Sequence, residues 1–281
     1  MLKKLFVLLF ASVLLLAACG SGKETDTGKE KEDLDPGNKA EEITKIRVAS
    51  LIPPMTDMLE IVKPLLKEDG IEMEIVILSD NIQPNSALAN KEVDANFFQH
   101  PPYMEMFNEA NDSNLVMIQP VYHAILGAYS TKYDSLDELP EGAQVAIPND
   151  SSNIARSLQL LEKGDLIKLA EGVGLEATVK DITDNPKNLK FIEVDLLMLA
   201  RSIDDVDLVT MLPAYAEPLG LTPVNDSLID EGESAFPISL MAREDNKDSE
   251  AIQKLAKHLS GPEVKAFLEE NFADIATPAF E

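Results

Sequence analysis

The chain has little of what metal and thiol chemistry needs. Its 281 residues hold one cysteine, Cys19, and three histidines. One cysteine excludes an intrachain disulfide and a multi-cysteine metal site. Its place at the end of an apolar leader argues against a catalytic thiol as well. His100, His123 and His258 show neither an HxH nor an HxxxH spacing, so neither a metal site nor a cofactor is expected. Cations are also scarce. Lys and Arg number 24 against 50 Asp and Glu, for a formal charge of −26. So acidic a surface repels phosphates, which excludes nucleic acid as a partner. It also argues against a broad attraction to anionic lipid. There is no GxSxG, no Walker loop and no HExxH, and Gly172-Val173-Gly174 lacks the third glycine of a dinucleotide fingerprint. An enzyme is therefore not expected. No internal repeat recurs at a fixed period. The acidic pairs Asp204-Asp205 and Glu231-Glu233 read as solvated surface.

What is present begins with MLKKLFVLLFASVLLLAACGSG. Lys3 and Lys4 precede an almost unbroken apolar run over residues 5–16. That is the layout of an export signal, and it is short for a membrane span. Leu16-Ala17-Ala18-Cys19 resembles the lipobox of bacterial lipoproteins. The resemblance implies a signal over residues 1–18, cleavage before Cys19, and lipid on Cys19; the other reading is an uncleaved anchor helix. Losing Lys3 and Lys4 takes the formal charge to −28. Across residues 19–44, the stretch 21–42 is polar and charged, with Leu34 its one large apolar side chain. Such a stretch cannot bury enough surface to fold and reads as a flexible tether.

From about residue 45 the composition is globular. Ile46-Arg47-Val48-Ala49-Ser50 reads as a strand, TDMLEIVKPLLKEDG as a helix and IEMEIVIL as a second strand. Leu59, Val62, Leu65 and Leu66 share one helical face, Gly70 stops the helix, and Pro64 should kink or break it. Strand, helix, strand is a βαβ unit and implies a parallel pair. NSALANKE follows as a short helix after the turn DNIQP. VDANFF, AQVAIP, KFIEVD, VDLVTML and SAFPISLMAR read as extended. LVMIQPVYHAILGAYST gives two extended runs, with Pro120 expected near an edge or a crossing. IARSLQLLEKG, LLMLARSIDD, DSEAIQKLAKHLS and GPEVKAFLEENF read as helices. This alternation predicts an α/β protein with doubly wound sheets, whose ligands collect at the carboxyl ends of strands.

Two stretches could carry chemistry. In IPNDSSNIAR, a loop leads from a strand into a helix. Ser151, Ser152 and Asn153 are all natural N-caps, which would place Arg156 in the first turn. A cation there opposes the helix macrodipole by about 0.3–1 kcal/mol, and a bound anion would reverse the penalty. Arg156 is thus either part of an anion cradle or a surface residue paired with a nearby acid. The second stretch is DANFFQHPPY, the end of a strand running into a proline-interrupted segment. Alternation puts Phe97 and Phe98 on opposite faces, one in the core and the other free to face a cleft.

IQPNSALA, DANFFQHPPY, SLDELPEGAQVAIPNDSSN, LIKL, VKDITDNPKNLKFIEVD, ARSIDDVDL and the closing VKAFL together resemble the methionine-binding lipoproteins, the NlpA-type substrate-binding proteins of ABC importers. The resemblance runs from about residue 45 to the end of the chain. It implies a two-lobed α/β fold of the periplasmic-binding-protein type (type II), with mixed sheets flanked by helices and a ligand in the interlobe cleft. Residues 45–128 with 238–281 would form one lobe and residues 129–237 the other. Arg156 would hold a ligand carboxylate with Asn153 beside it, and Phe98, His100 and Tyr103 would line a side-chain pocket. Asn81 stands where the family has Tyr, and Tyr215 is retained. Leu212-Pro213-Ala214 replaces the Asn-x-Asn that helps hold the ligand's amino and carboxylate groups. The implied role is a lipid-anchored receptor on the extracytoplasmic face of the cell membrane. It would pass methionine, or a related amino acid or short peptide, to an ABC permease and its ATPase. The alternative is a divergent surface lipoprotein with an interaction role.

Overall fold

The structure is a computed structural model, and it describes residues 43–232 and 234–281. The expected signal, Cys19 and nearly all of the expected tether lie outside those residues. The expected tether ends inside the first strand, which begins at Thr44.

The chain first lays down β1 (Thr44–Ser50), α1 (Met55–Glu68), β2 (Ile71–Ile77), α2 (Gln83–Ala89), β3 (Ala95–Gln99), α3 (Pro101–Asn111) and β4 (Leu115–Ala124). Next come β5 (Gly127–Tyr129), β6 (Gln144–Pro148), α4 (Ser151–Lys163), β7 (Lys168–Leu169), β8 (Ile182–Asp184) and β9 (Lys190–Val194). They are followed by α5 (Leu199–Ser202), β10 (Leu208–Met211), α6 (Pro213–Ala216), α7 (Pro223–Asp226) and β11 (Ile229–Asp230). The end of the chain supplies β12 (Pro237–Arg243), α8 (Glu250–Leu259), α9 (Pro262–Asn271) and β13 (Ala276–Pro278).

Two mixed sheets organise these elements. One runs β13-β4-β12-β3-β1-β2 and the other β11-β5-β10-β6-β9, with β7 and β8 forming a separate ribbon. β1 is parallel to β2 and β3, as the βαβ reading requires. The returning β12 is antiparallel to both β3 and β4. In the second sheet β6 is parallel to β9 and β10, and β5 is antiparallel to β10 and β11. This is a two-lobed α/β fold. The chain changes sheet twice, across Ile125–Leu126 and again between Asp230 and Pro237. Both changes fall earlier than expected. Gly127 and Ala128 already pair with β10 and β11, and Pro237 already pairs with His123 of β4. The apolar run around Ala124 carries no turn residue before Gly127, so periodicity alone could not mark the transition.

Local departures have local causes. α1 is continuous through Pro64, which lies on its exposed side. Met58, Leu59, Val62 and Leu66 are its buried stripe, and Leu65 is only half-buried. Pro120 sits where the β4–β12 register slips, so its missing N–H falls at a bulge and breaks no regular ladder. The proline-interrupted segment after β3 is a helix, α3. Pro101 and Pro102 open it, where an N–H would have no intrahelical partner anyway. α4 is capped before any of the three expected residues. Asp150 accepts from the Asn153 N–H at 3.0 Å, so Ser151 is already helical and Arg156 lies in the second turn. The expected conflict between Arg156 and the macrodipole therefore lapses, because the effect fades beyond the first turn.

Candidate functional site

Short loops at the carboxyl ends of β1, β3, β6, β9 and β10 meet between the two sheets around one cavity of about 330 Å³. That is the location strand topology favours for a ligand. The first sheet contributes Leu51, Asn81, Phe98, Gln99, His100, Tyr103 and Ile238 to its walls. The second contributes Asn153, Leu196, Leu212 and Tyr215. Six of the seven ligand-site residues read from the sequence therefore line a single cavity. Phe97 is fully buried in the core while Phe98 faces the cavity, as alternation required.

Much of the polar wall is already hydrogen-bonded within the protein. His100 caps α3: its Nδ1 accepts from the Tyr103 N–H at 3.3 Å. The remaining proton is then on Nε2, which faces Asn153 Oδ1 at 3.3 Å and joins the two sides of the cleft. Burial, and then the charge of Arg156, pull the His100 pKa down to about 3, so the ring is neutral. Asn153 Nδ2 donates to both carboxylate oxygens of Asp150 at 3.0 Å. Tyr103 donates to the Asn81 carbonyl at 2.8 Å, and its ring meets Phe98 edge-on at 5.9 Å. Gln99 is held by a buried amide cluster. Its Oε1 accepts from Asn85 at 2.8 Å, and its Nε2 donates to Asn96 at 3.0 Å. Two polar groups of the wall are left without a hydrogen bond among the described residues, the Asn81 amide and the Tyr215 hydroxyl. Burial comes first, then Asp150 and Asp195, in raising the Tyr215 pKa, so that phenol stays protonated.

Arg156 is not among the lining residues. It is 1% exposed, and its Nε and Nη2 grip both oxygens of Glu231, the second at 2.5 Å. Nη2 also donates to the Ala124 carbonyl at 2.6 Å and to Ser234 Oγ at 3.0 Å. Phe236 stacks on the guanidinium at 4.5 Å, and its other neighbour is the His100 ring, at 5.4 Å between centroids. Arg156 thus does pair with an acid, but in the interior and not at the surface. Glu231, read from the sequence as solvated, has a side chain only 12% exposed. The nitrogen that remains, Nη1, is buried without a hydrogen-bond partner among the described residues. Each unmet donor of a buried guanidinium carries a desolvation cost of about 1–3 kcal/mol.

Leu51, Gln99, Leu196, Leu212 and Ile238 were missed as lining residues. For Leu212 a signal existed, since it stands beside the retained Tyr215. The others are apolar or amide residues at strand ends, with nothing local to distinguish them from core. Among the described residues no cluster of His, Cys, Asp and Glu has the makings of a metal site, and no helix is long and apolar enough to cross a membrane.

Known proteins share this arrangement over most of the chain. The D-methionine-binding lipoprotein MetQ of Escherichia coli (strain K12) is 38% identical over 232 residues, covering 81% of this chain and 86% of that protein. Lipoprotein Tp32 of Treponema pallidum superposes with a TM-score of 0.82 at 34% identity, over 85% of this chain and all of its own. A nutrient-binding protein from Burkholderia cenocepacia, solved bound to methionine, gives a TM-score of 0.81 at 35% identity, over 84% of this chain and all of its own. The profile of the NlpA lipoproteins matches residues 46–280. The chain belongs to the NlpA lipoprotein family.

Proposed function

We propose that this protein is the lipid-anchored solute receptor of an ABC importer, and that it binds methionine or a closely related amino acid or short peptide. The observation that carries the reading is the cavity between the two sheets, walled by residues of both, with a buried arginine lying behind its His100 wall across the Phe236 ring. Two family members bind methionine by name or in their solved structure, which sets the default ligand. In this reading Phe98, Tyr103, Leu196 and Leu212 take an apolar side chain, and Asn81 and Tyr215 supply the open hydrogen-bonding groups. The guanidinium Nη1 takes the carboxylate, with Asn153 and His100 bracing the cleft. The two sheets with their helices act as lobes, residues 45–128 with 238–281 and residues 129–237, their edges moved by the few residues noted above. Solute favours the closed arrangement, and the closed form is what a permease would receive. Lipid on Cys19 would hold the receptor at the extracytoplasmic face of the membrane.

Leu212 favours a second reading, a surface lipoprotein that no longer carries a solute, since an apolar side chain stands where the family resemblance implies an amide. A thermal-shift screen of the full chain separates the two. The panel is L- and D-methionine, methionine sulfoxide, other amino acids and short methionine peptides. A receptor gains about 2.7 kcal/mol at a ligand concentration one hundred times its Kd. A scaffold shifts with no member of the panel, and that result would refute the receptor role.

A further inference from the structure

We infer that Asp150 is a positioning residue for the cleft: its carboxylate holds the Asn153 amide with the oxygen toward His100, and so sets the hydrogen bond that joins the two sides. The inference rests on the receptor role proposed above and adds to its machinery a residue outside the cavity wall. His100 stands on the first sheet's side and Asn153 on the second's, at 2% and 3% exposure. Away from the two crossing segments, their contact is the one hydrogen bond between the two sides among the described residues. It requires one polarity. The neutral His100 ring spends Nδ1 in accepting from the Tyr103 N–H, so Nε2 can only donate. Asn153 meets that demand only with Oδ1 forward.

An asparagine amide carries a donor and an acceptor of nearly the same shape, and its neighbours decide which way round it lies. Here the neighbour is Asp150, whose two oxygens both accept from Asn153 Nδ2 at 3.0 Å. A carboxylate accepts and cannot donate. Turning the amide over would set Oδ1 against two oxygens and Nδ2 against the Nε2–H. Capping α4 does not require this arrangement. Asp150 Oδ1 alone receives the Asn153 N–H and the Ser152 hydroxyl, each at 3.0 Å, and serine or asparagine would cap the helix as well. Asp150 Oδ2 bonds only the Asn153 side chain among the described residues, so it holds nothing of the helix. His100 and Asn153 meet only when the two sides are together. Their bond therefore favours the closed arrangement, and a solute that needs closure binds more weakly without it.

The test uses the full chain, with L-methionine as the probe. Asp150→Asn keeps the cap through one oxygen but sets an NH2 group against Asn153 Nδ2. Calorimetric titration should show methionine binding about tenfold more weakly, the effect of one buried hydrogen bond left unmade. Asp150→Ser, a good cap with a single oxygen, should move the affinity the same way and decides the matter if Asp150→Asn does not fold. In an Asn153→Ala background there is no amide left to hold, so the Asp150→Asn change should have no further effect on affinity; a cap alone would cost the same in both backgrounds. The His100 Nε2–H gives a second readout, as a nitrogen-15-coupled ring proton that exchanges slowly with water in the parent and is lost in Asp150→Asn. Parent-like affinity in both Asp150 variants, or an equal loss in the Asn153→Ala background, overturns the positioning role and leaves the receptor role standing. If the parent does not bind methionine, the proposed solute is wrong and the ring proton decides the positioning role alone. Its loss in the variant upholds that role, and the same signal in both proteins overturns it.

Discussion

His100 should make the fold acid-sensitive between pH 7 and pH 5. The ring is 2% exposed, it spends Nδ1 as a helix cap, and it faces Asn153 through Nε2. Burial first, and the Arg156 charge second, hold its pKa at about 3, against an ordinary value of 6.5. The sign follows from which state takes the proton. Above pH 6.5 the ring is neutral in both states and costs nothing. Below it the unfolded chain gains a proton that the folded chain refuses, so stability falls until about pH 3. At 1.36 kcal/mol per pH unit, the loss between pH 7 and pH 5 is about 2 kcal/mol. That figure is insensitive to the exact folded value, provided it lies below about 4. The assay is urea unfolding of the ligand-free protein at pH 7 and pH 5, beside His100→Asn. Asparagine also caps a helix but does not titrate in this range, so the variant should lose the His100 share of the slope. Equal pH dependence in the two proteins would refute the reasoning and would mean that the buried ring accepts a proton.

Glu231→Ala should destabilise the protein by about 3–5 kcal/mol in urea melts, because it leaves Arg156 buried with its charge uncompensated. Replacing both partners by apolar residues should cost less than that single change, which a double-mutant comparison would show. Asp150→Ala should cost about 1–2 kcal/mol through the lost cap of α4, and Asp150→Asn a few tenths; thermal melts at neutral pH separate them. The Tyr129 hydroxyl is buried without a partner among the described residues, so Tyr129→Phe should be neutral or raise stability by up to about 1 kcal/mol, read from the denaturation midpoint.

The parts of this fold legible in the sequence are those whose signal is local. The 3.6-residue stripe of α1, the alternation in β3 and the strand–helix–strand order each need only a dozen residues of context. The same holds for the cavity wall on one side, because Phe98, His100 and Tyr103 fall within six positions. α3 was missed although its signal was local too. Two prolines look like a break, yet at the first two helical positions they cost no hydrogen bond, and His100 is there to cap the next amide. The lesson is positional, since proline opposes a helix only where an N–H was needed.

Arg156 failed differently, and no closer reading of its neighbourhood would have helped. Its counter-charge lies 75 positions away, beside a Gly in what looked like a solvated acidic turn. Its other partners, Ala124 and Ser234, sit on or beside the two segments where the chain changes sheet. Spacing can place an arginine near a helix start, but it cannot say which acid the fold will bring to it. The same bonds give Arg156 a structural role. Its guanidinium ties both crossing segments to α4, so a change at Glu231 should disturb both crossings together.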